Sequence, residues 1–159
     1  MRDPRPARPL DTIDVGLIAA LRRQPRASHA ELARVVGIAR GTVYSRLDRL
    51  EAEGVITGYG PDIDALAAGL GVLAFCTLEI VQGSLDETVA ALTALPQVLE
   101  IHTVTGPGDI VCRIAARSND HLHDVLQRVA SIPGVRNSET HLALATNLDR
   151  TVADVLIGD

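Results

Sequence analysis

From Asp11 onward apolar residues recur at helical spacing. Ile13, Leu17, Ala20 and Leu21 line one face, and Pro25 prevents the helix from continuing. Asp11 is placed to cap its start. Ser28 with Glu31 forms a capping box for a second helix, whose Leu32, Val35 and Val36 make an apolar face before Gly37 stops it. A third helix is predicted from about Ala39 to Glu53, with Val43, Leu47 and Leu50 inward and Gly54 at its end. Beyond it Val55-Ile56 and Tyr59 to Ile63, separated by Thr57-Gly58, read as a small β-hairpin. Three short helices with a tight turn between the last two, then a hairpin, fit a winged helix-turn-helix.

Between 61 and 71 the segment PDIDALAAGLG loses any clear period, which marks a domain boundary. The pattern then changes. Val72 to Val81 is a strand rich in apolar and β-branched residues. Ser84 and Glu87 read as a capping box for a helix with Val89, Leu92 and Leu95 inward, ended by Pro96. Val98 to Thr105 and Ile110 to Ala116 are paired strands around Gly106-Pro107-Gly108-Asp109. Ser118 or Asn119 caps a helix bearing Leu122, Val125, Leu126, Val129 and Ile132, and Pro133-Gly134 turns the chain into a last strand near Val135 to Ala145. The order βαββαβ predicts a ferredoxin-like antiparallel sheet with two helices on one face, so the fold class is α+β. In the first strand Val72, Ala74, Cys76, Leu78 and Ile80 point one way and Leu73, Phe75 and Val81 the other. Two helices cover only one of those faces, and the second face is expected to meet another copy of the sheet. The tail TNLDRTVADVLIGD fits either a strand or a short helix.

Composition narrows the class. Hydrophobic residues at 47% and charged residues at 22% are ordinary for a globular protein, and no apolar run approaches the length of a membrane span. The opening MRDPRPARPL has no secretory apolar stretch. Cys76 and Cys112 lie inside apolar strands away from metal or redox spacings, as reduced core thiols of a cytoplasmic protein would. Charge is uneven. The net charge is −5, yet residues 1–60 hold ten of the fifteen basic residues against seven of the twenty acidic ones. A basic module beside an acidic domain fits nucleic-acid binding, although trihelical units also serve as protein-interaction modules.

If the third helix lies in the major groove, its outward side chains are Arg40, Thr42, Tyr44, Ser45, Arg46 and Arg49. Those near its leading end (Arg40, Thr42, Tyr44) would reach base edges, while Arg46 and Arg49 would meet phosphates. In the second domain the Gly106 to Asp109 turn has two readings. It is a good hairpin connection. It also offers glycine backbone N–H groups to a carboxylate, and Asp109 as an acceptor for an ammonium group.

The run LDTIDVGLIAALRRQPRASHAELARVVGIARGTVYSRLDRLEAEGVITGYGPDID, with HTVTGPGDIVCRI and IPGVRNSETHLAL after it, resembles the Lrp/AsnC family of feast/famine regulators. Its marks are Asp14, the stretch from Arg46 to Glu51, Gly54 to Tyr59, Thr105-Gly106 with Asp109, and Pro133-Gly134-Val135, in order from Leu10 to about Ala145. The resemblance implies a regulator that binds double-stranded DNA, forms homodimers that often assemble to octamers, and binds a small effector, an amino acid, between dimers. It implies an effector site of Thr103, Gly106, Gly108, Asp109, Asn119, Leu142 and Ala143, with no metal and no cofactor. The implied domains are a flexible basic arm over 1–10, a winged helix-turn-helix over 11–63, a linker over 64–71, and an effector-binding and oligomerisation domain over 72–159. Two positions depart from the family pattern. Ala39 stands where a serine usually caps the recognition helix, and Pro107-Gly108 replaces an acidic or aromatic residue before Asp109. An enzyme related to siroheme decarboxylase, using His102, His121, His123 or His141, and a metabolite sensor that binds no DNA are the alternatives. The histidines have no metal-ligand spacing and no nucleophile partner.

Overall fold

A computed structural model describes residues 8–158. Residues 1–7, most of the expected basic arm, lie outside the described residues. The chain forms two compact units, one of residues up to Asp62 together with those from Leu148 on, the other spanning Ile63–Asn147.

In the first unit three helices follow the sequence pattern: α1 (Thr12–Arg23), α2 (His29–Val36) and α3 (Arg40–Ala52). Asp11 caps α1 by accepting from the Ile13 and Asp14 N–H groups, and Asp14 returns the favour to the Asp11 N–H, closing a capping box. Ser28 and Glu31 do the same for α2. By contrast, Ala39 opens α3 with extended backbone and no side-chain bond. The core consists of Leu17, Ala20, Leu32, Val43, Leu47 and Leu50, with Val55 and Ile56 packed against it.

The expected β-hairpin over 55–63 does not form. Val55 and Ile56 donate their N–H groups to the Leu50 carbonyl, a return made possible by Gly54 at φ 71°. Once those amides and side chains are committed to the helices, residues 57–63 run on without strand pairing. A second correction concerns the tail, which was expected to belong with residues 72–147. Residues 152–158 instead form a short helix, α6 (Val152–Gly158), that packs on α1. Asp154 is held there by Arg22 at 3.1 Å and accepts from the backbone N–H and hydroxyl of Thr151.

The second unit contains β1 (Val72–Ile80), α4 (Leu85–Thr93), β2 (Val98–Thr103), β3 (Ile110–Ala116), α5 (Asn119–Ala130) and β4 (Val135–Leu142). The strands lie in the order β2-β3-β1-β4, every neighbouring pair antiparallel. This is the ferredoxin-like order. Ala74, Cys76 and Leu78 of β1 and Ile110, Cys112 and Ile114 of β3 face a core closed by Leu92 of α4 and Leu122, Val125 and Val129 of α5. Ser118 caps α5 as expected. At α4 the expected capping box is absent: the Ser84 hydroxyl donates to the Val81 and Gly134 carbonyls, which leaves the helix start uncapped by side chains. Both cysteines are free and buried, and burial raises both thiol pKa values, that of Cys112 to about 11. No described helix is long and apolar enough to cross a membrane.

Candidate DNA-reading helix and effector cavity

Helix α3 presents two kinds of outward residue. Arg40, Tyr44 and Ser45 are exposed, with Tyr44 at 64% and edge-on to the His29 ring at 5.8 Å. Thr42 is half-buried beside them, and its carbonyl accepts from the Ser45 hydroxyl. Among the described residues Arg40 makes no ion pair. These four side chains share the leading half of the helix.

Arg46 and Arg49 are differently placed. Both are half-buried and turn back onto α1, where Asp14 lies fully buried. Arg46 donates to Asp14 at 2.9 Å and to Asp11, and Arg49 donates to the other Asp14 oxygen at 2.6 Å. Burial pushes the Asp14 carboxyl pKa up more than any other single influence. The hydrogen bonds from the Asp11 N–H, Arg46 and Arg49 together outweigh it, and the pKa falls below the usual carboxylate value. Asp11 is held at about 2, mainly by Arg46. The two arginines therefore bind α3 to α1 through a buried carboxylate. Sequence reading saw them only as phosphate ligands. The signal that could have corrected it is Asp14 itself, a carboxylate three residues from Leu17 and seven from Leu21 on the inward arc of α1, where an unpaired charge is too costly to keep.

In the second unit a cavity of about 460 Å³ opens at the end of the sheet where β1 leads toward α4. Thr103, Gly106, Gly108 and Asp109 line it, as the sequence suggested. Gly108 is required there: with φ at 85°, a Cβ would come within 2.4 Å of Thr77 Cγ2 and 3.3 Å of the Leu78 carbonyl. Asp109 is tied to β1 through its N–H to the Leu78 carbonyl and through its carboxylate, which accepts from the Ile80 N–H at 2.8 Å. Asn119, Leu142 and Ala143 are not in this cavity. Leu142 pairs with Ala74 and Ala143 bonds to Leu73, whereas the loop meets β1 at Leu78 and Ile80, so the two groups lie at opposite ends of the sheet, roughly 13 Å or more apart. Sequence reading missed Glu79 and Arg136, which also line the cavity.

The histidines are dispersed. His102 and His141 sit on β2 and β4, the two edges of the sheet, beside Glu100 and Glu139, while His121 accepts from the Arg117 N–H and contacts Gln97. Among the described residues no three potential ligands cluster for a metal.

Two family models match the chain in order, a winged helix-turn-helix DNA-binding domain over residues 10–57 and an Lrp/AsnC ligand binding domain over 73–153. The HTH-type transcriptional regulator FL11 of Pyrococcus horikoshii is 32% identical over 143 residues, covering 90% of this chain and 95% of its own length. The structure of Escherichia coli AsnC superposes with a TM-score of 0.85 at 28% identity, over 92% of this chain and 99% of that one. The leucine response regulatory protein of Mycobacterium tuberculosis is 31% identical, with a TM-score of 0.75 over 88% of this chain and 96% of its own. A ligand-binding α+β unit thus follows a DNA-binding helical one in the same order and over nearly the same length as in these regulators, and the chain belongs to the Lrp/AsnC family of DNA-binding, ligand-responsive transcription regulators.

Proposed function

We propose that α3 reads operator DNA with Arg40, Thr42, Tyr44 and Ser45. The observation that carries this is the largely exposed leading half of α3, whose Arg40 makes no ion pair among the described residues, standing on a trailing half locked to α1. Arg46 and Arg49 spend their first hydrogen bonds on Asp11 and Asp14, and we assign to their remaining N–H groups a secondary contact with phosphates. Arg40→Ala or Tyr44→Ala is expected to change sequence preference in a selection of bound genomic fragments while leaving the melting temperature near wild type. Arg46→Ala or Arg49→Ala should lower melting temperature and affinity together, without redirecting preference. Unchanged affinity and preference in all four variants would remove α3 as the reader.

The effector we propose is an amino acid, bound at the Gly106 to Asp109 loop. The cavity supports this, because it combines a glycine-rich loop with charges of both signs. The family relative from Mycobacterium tuberculosis is a leucine response protein by name. Asn119, Leu142 and Ala143 would join such a site only from another copy, which fits an effector that binds between dimers and shifts assembly or DNA affinity by preferring one state. The open sheet face is the proposed dimer surface, with octamers built from dimers. The protein acts on cytoplasmic DNA and is proposed to be a regulator rather than an enzyme. With its histidines dispersed, nothing favours a decarboxylase-like reading, and the fold of α3 gives a DNA-free sensor no advantage.

A further inference from the structure

At one place the regular alternation of β4 breaks. Glu79 of β1 pairs with Asn137, but the next residue, Ile80, pairs with Val135, so Arg136 is left over as a β-bulge. A bulged residue escapes the strict up-and-down alternation of a strand, and bulges recur beside binding sites because they re-aim one side chain. Here the residue set free is an arginine that lines the loop cavity, while its neighbour Asn137 stays on the sheet and donates to Glu79. The chain leading into the bulge is held in place at Gly134. Val81 donates to the Gly134 carbonyl, and a Cβ at Gly134 would collide with Thr88 Oγ1 at 2.3 Å and Ser84 Oγ at 2.7 Å.

Arg136 is the sole cation among the cavity's lining residues, and it makes no ion pair among the described residues. Two carboxylates accompany it. That of Asp109 already accepts the Ile80 N–H and serves to hold the loop on β1, whereas Glu79 has, among the described residues, only the long contact from Asn137 at 3.5 Å. A cation and an available carboxylate across one cavity match the two ends of a zwitterion. The remaining side chains of the lining carry no charge: Ile80, Val81, Leu85 and Val104 are apolar, and Gln82 and Thr103 are neutral and polar.

We infer that Arg136 is the specificity-determining cation of the effector site, that it takes the ligand's α-carboxylate while Glu79 takes its ammonium group, and that the ligand is an amino acid with a neutral side chain. This rests on the effector reading above and adds to it the residues and the ligand class. The arginine fork binds a carboxylate by charge-assisted, bidentate bonds, which lysine does not reproduce. Asp109 becomes a positioning residue.

The test is calorimetry on the full-length protein with L-leucine, L-isoleucine, L-valine, L-methionine, L-aspartate, L-glutamate, L-lysine and L-arginine, and with the α-carboxamide of whichever binds. Binding of a neutral member is expected, about 10- to 100-fold weaker in Arg136→Gln, a range set by the loss of charge-assisted hydrogen bonds. The carboxamide should bind weakly to the wild type and no more weakly to the variant. Glu79→Gln should also weaken the amino acid. A variant that keeps wild-type affinity would overturn the role of Arg136 and leave the effector reading standing. Binding of only charged amino acids would overturn the ligand class, and no binding of any of them would overturn this inference and the effector reading together. Thermal unfolding of Arg136→Gln within a degree or two of wild type separates a lost contact from a misfolded bulge.

Discussion

Asp14 shows how one side chain can join two helices and dictate what its partners are free to do. It is buried on α1, caps the helix start through the Asp11 N–H, and receives Arg46 and Arg49 from α3. Removing one member of a fully buried ion pair costs about 3–5 kcal/mol. Arg46 and Arg49 keep 23% and 22% of their side-chain surface, so water would partly compensate them after the loss. Asp14→Asn is therefore expected to lower the unfolding free energy by about 1–3 kcal/mol, measured by urea denaturation at pH 7. An unchanged midpoint would mean that the network is ornamental. Acid should act on the same residues. Asp11 and Asp14 have lower pKa values folded than unfolded, so their stabilisation is present above the unfolded value near 3.8 and disappears as pH falls through the folded value, about 2 for Asp11. The urea midpoint of the wild type should drop over that window, and more steeply than that of the Asp14→Asn variant.

At the scale of elements, the start of α3 lacks the side-chain cap that the two helices before it have. Both preceding helices open with a reciprocal capping box, and α3 opens on Ala39 at φ −67° and ψ 146°, a backbone already suited to a serine cap. Ala39→Ser is expected to add about 1 kcal/mol of stability, read as a raised melting temperature. A neutral or negative change would show that the turn between α2 and α3 is held by other means. That helix boundaries and caps could be read from the sequence reflects their local origin. Asp11, Ser28, Gly37 and Gly54 each act within four residues of themselves, and the alternation of Ala74, Cys76 and Leu78 fixes which face of β1 is buried. The misread elements depend on partners distant in sequence. Val55 and Ile56 look like strand residues, yet the Leu50 carbonyl claims their amides. Ser84 looks like a cap, yet the carbonyls of Val81 and Gly134 claim its hydroxyl. The tail helix α6 is settled by Arg22, more than a hundred residues earlier in the chain. Half of the candidate site was legible for the same reason. The Gly106 to Asp109 loop carries its own glycine signature, whereas Arg136 enters the cavity only because of a strand register that no local pattern encodes.

At the scale of the whole molecule, the sheet of the second unit leaves a face that its two helices do not cover. Phe75 stands near its middle, 41% exposed and opposite both Arg113 and His141. Leu73 and Val111 lie half-buried on the same face, with Arg113 paired to Glu100 at 2.7 Å beside them. A second copy packed there would bury the aromatic ring against its counterpart and bring two α3 helices under one two-fold axis, as a pseudo-palindromic operator requires. Phe75→Asp places a carboxylate on each side of that axis, where burial and like-charge repulsion both oppose association. Sedimentation velocity at micromolar concentration should show the wild type as a dimer or larger and the variant as a monomer with an unchanged far-ultraviolet circular dichroism spectrum. DNA binding would report the same change independently. Each α3 contributes its own phosphate contacts, so the slope of log affinity against log salt should fall by about half when one recognition helix binds in place of two. A variant that stays dimeric with an undiminished slope would place the dimer contact on another surface of the protein.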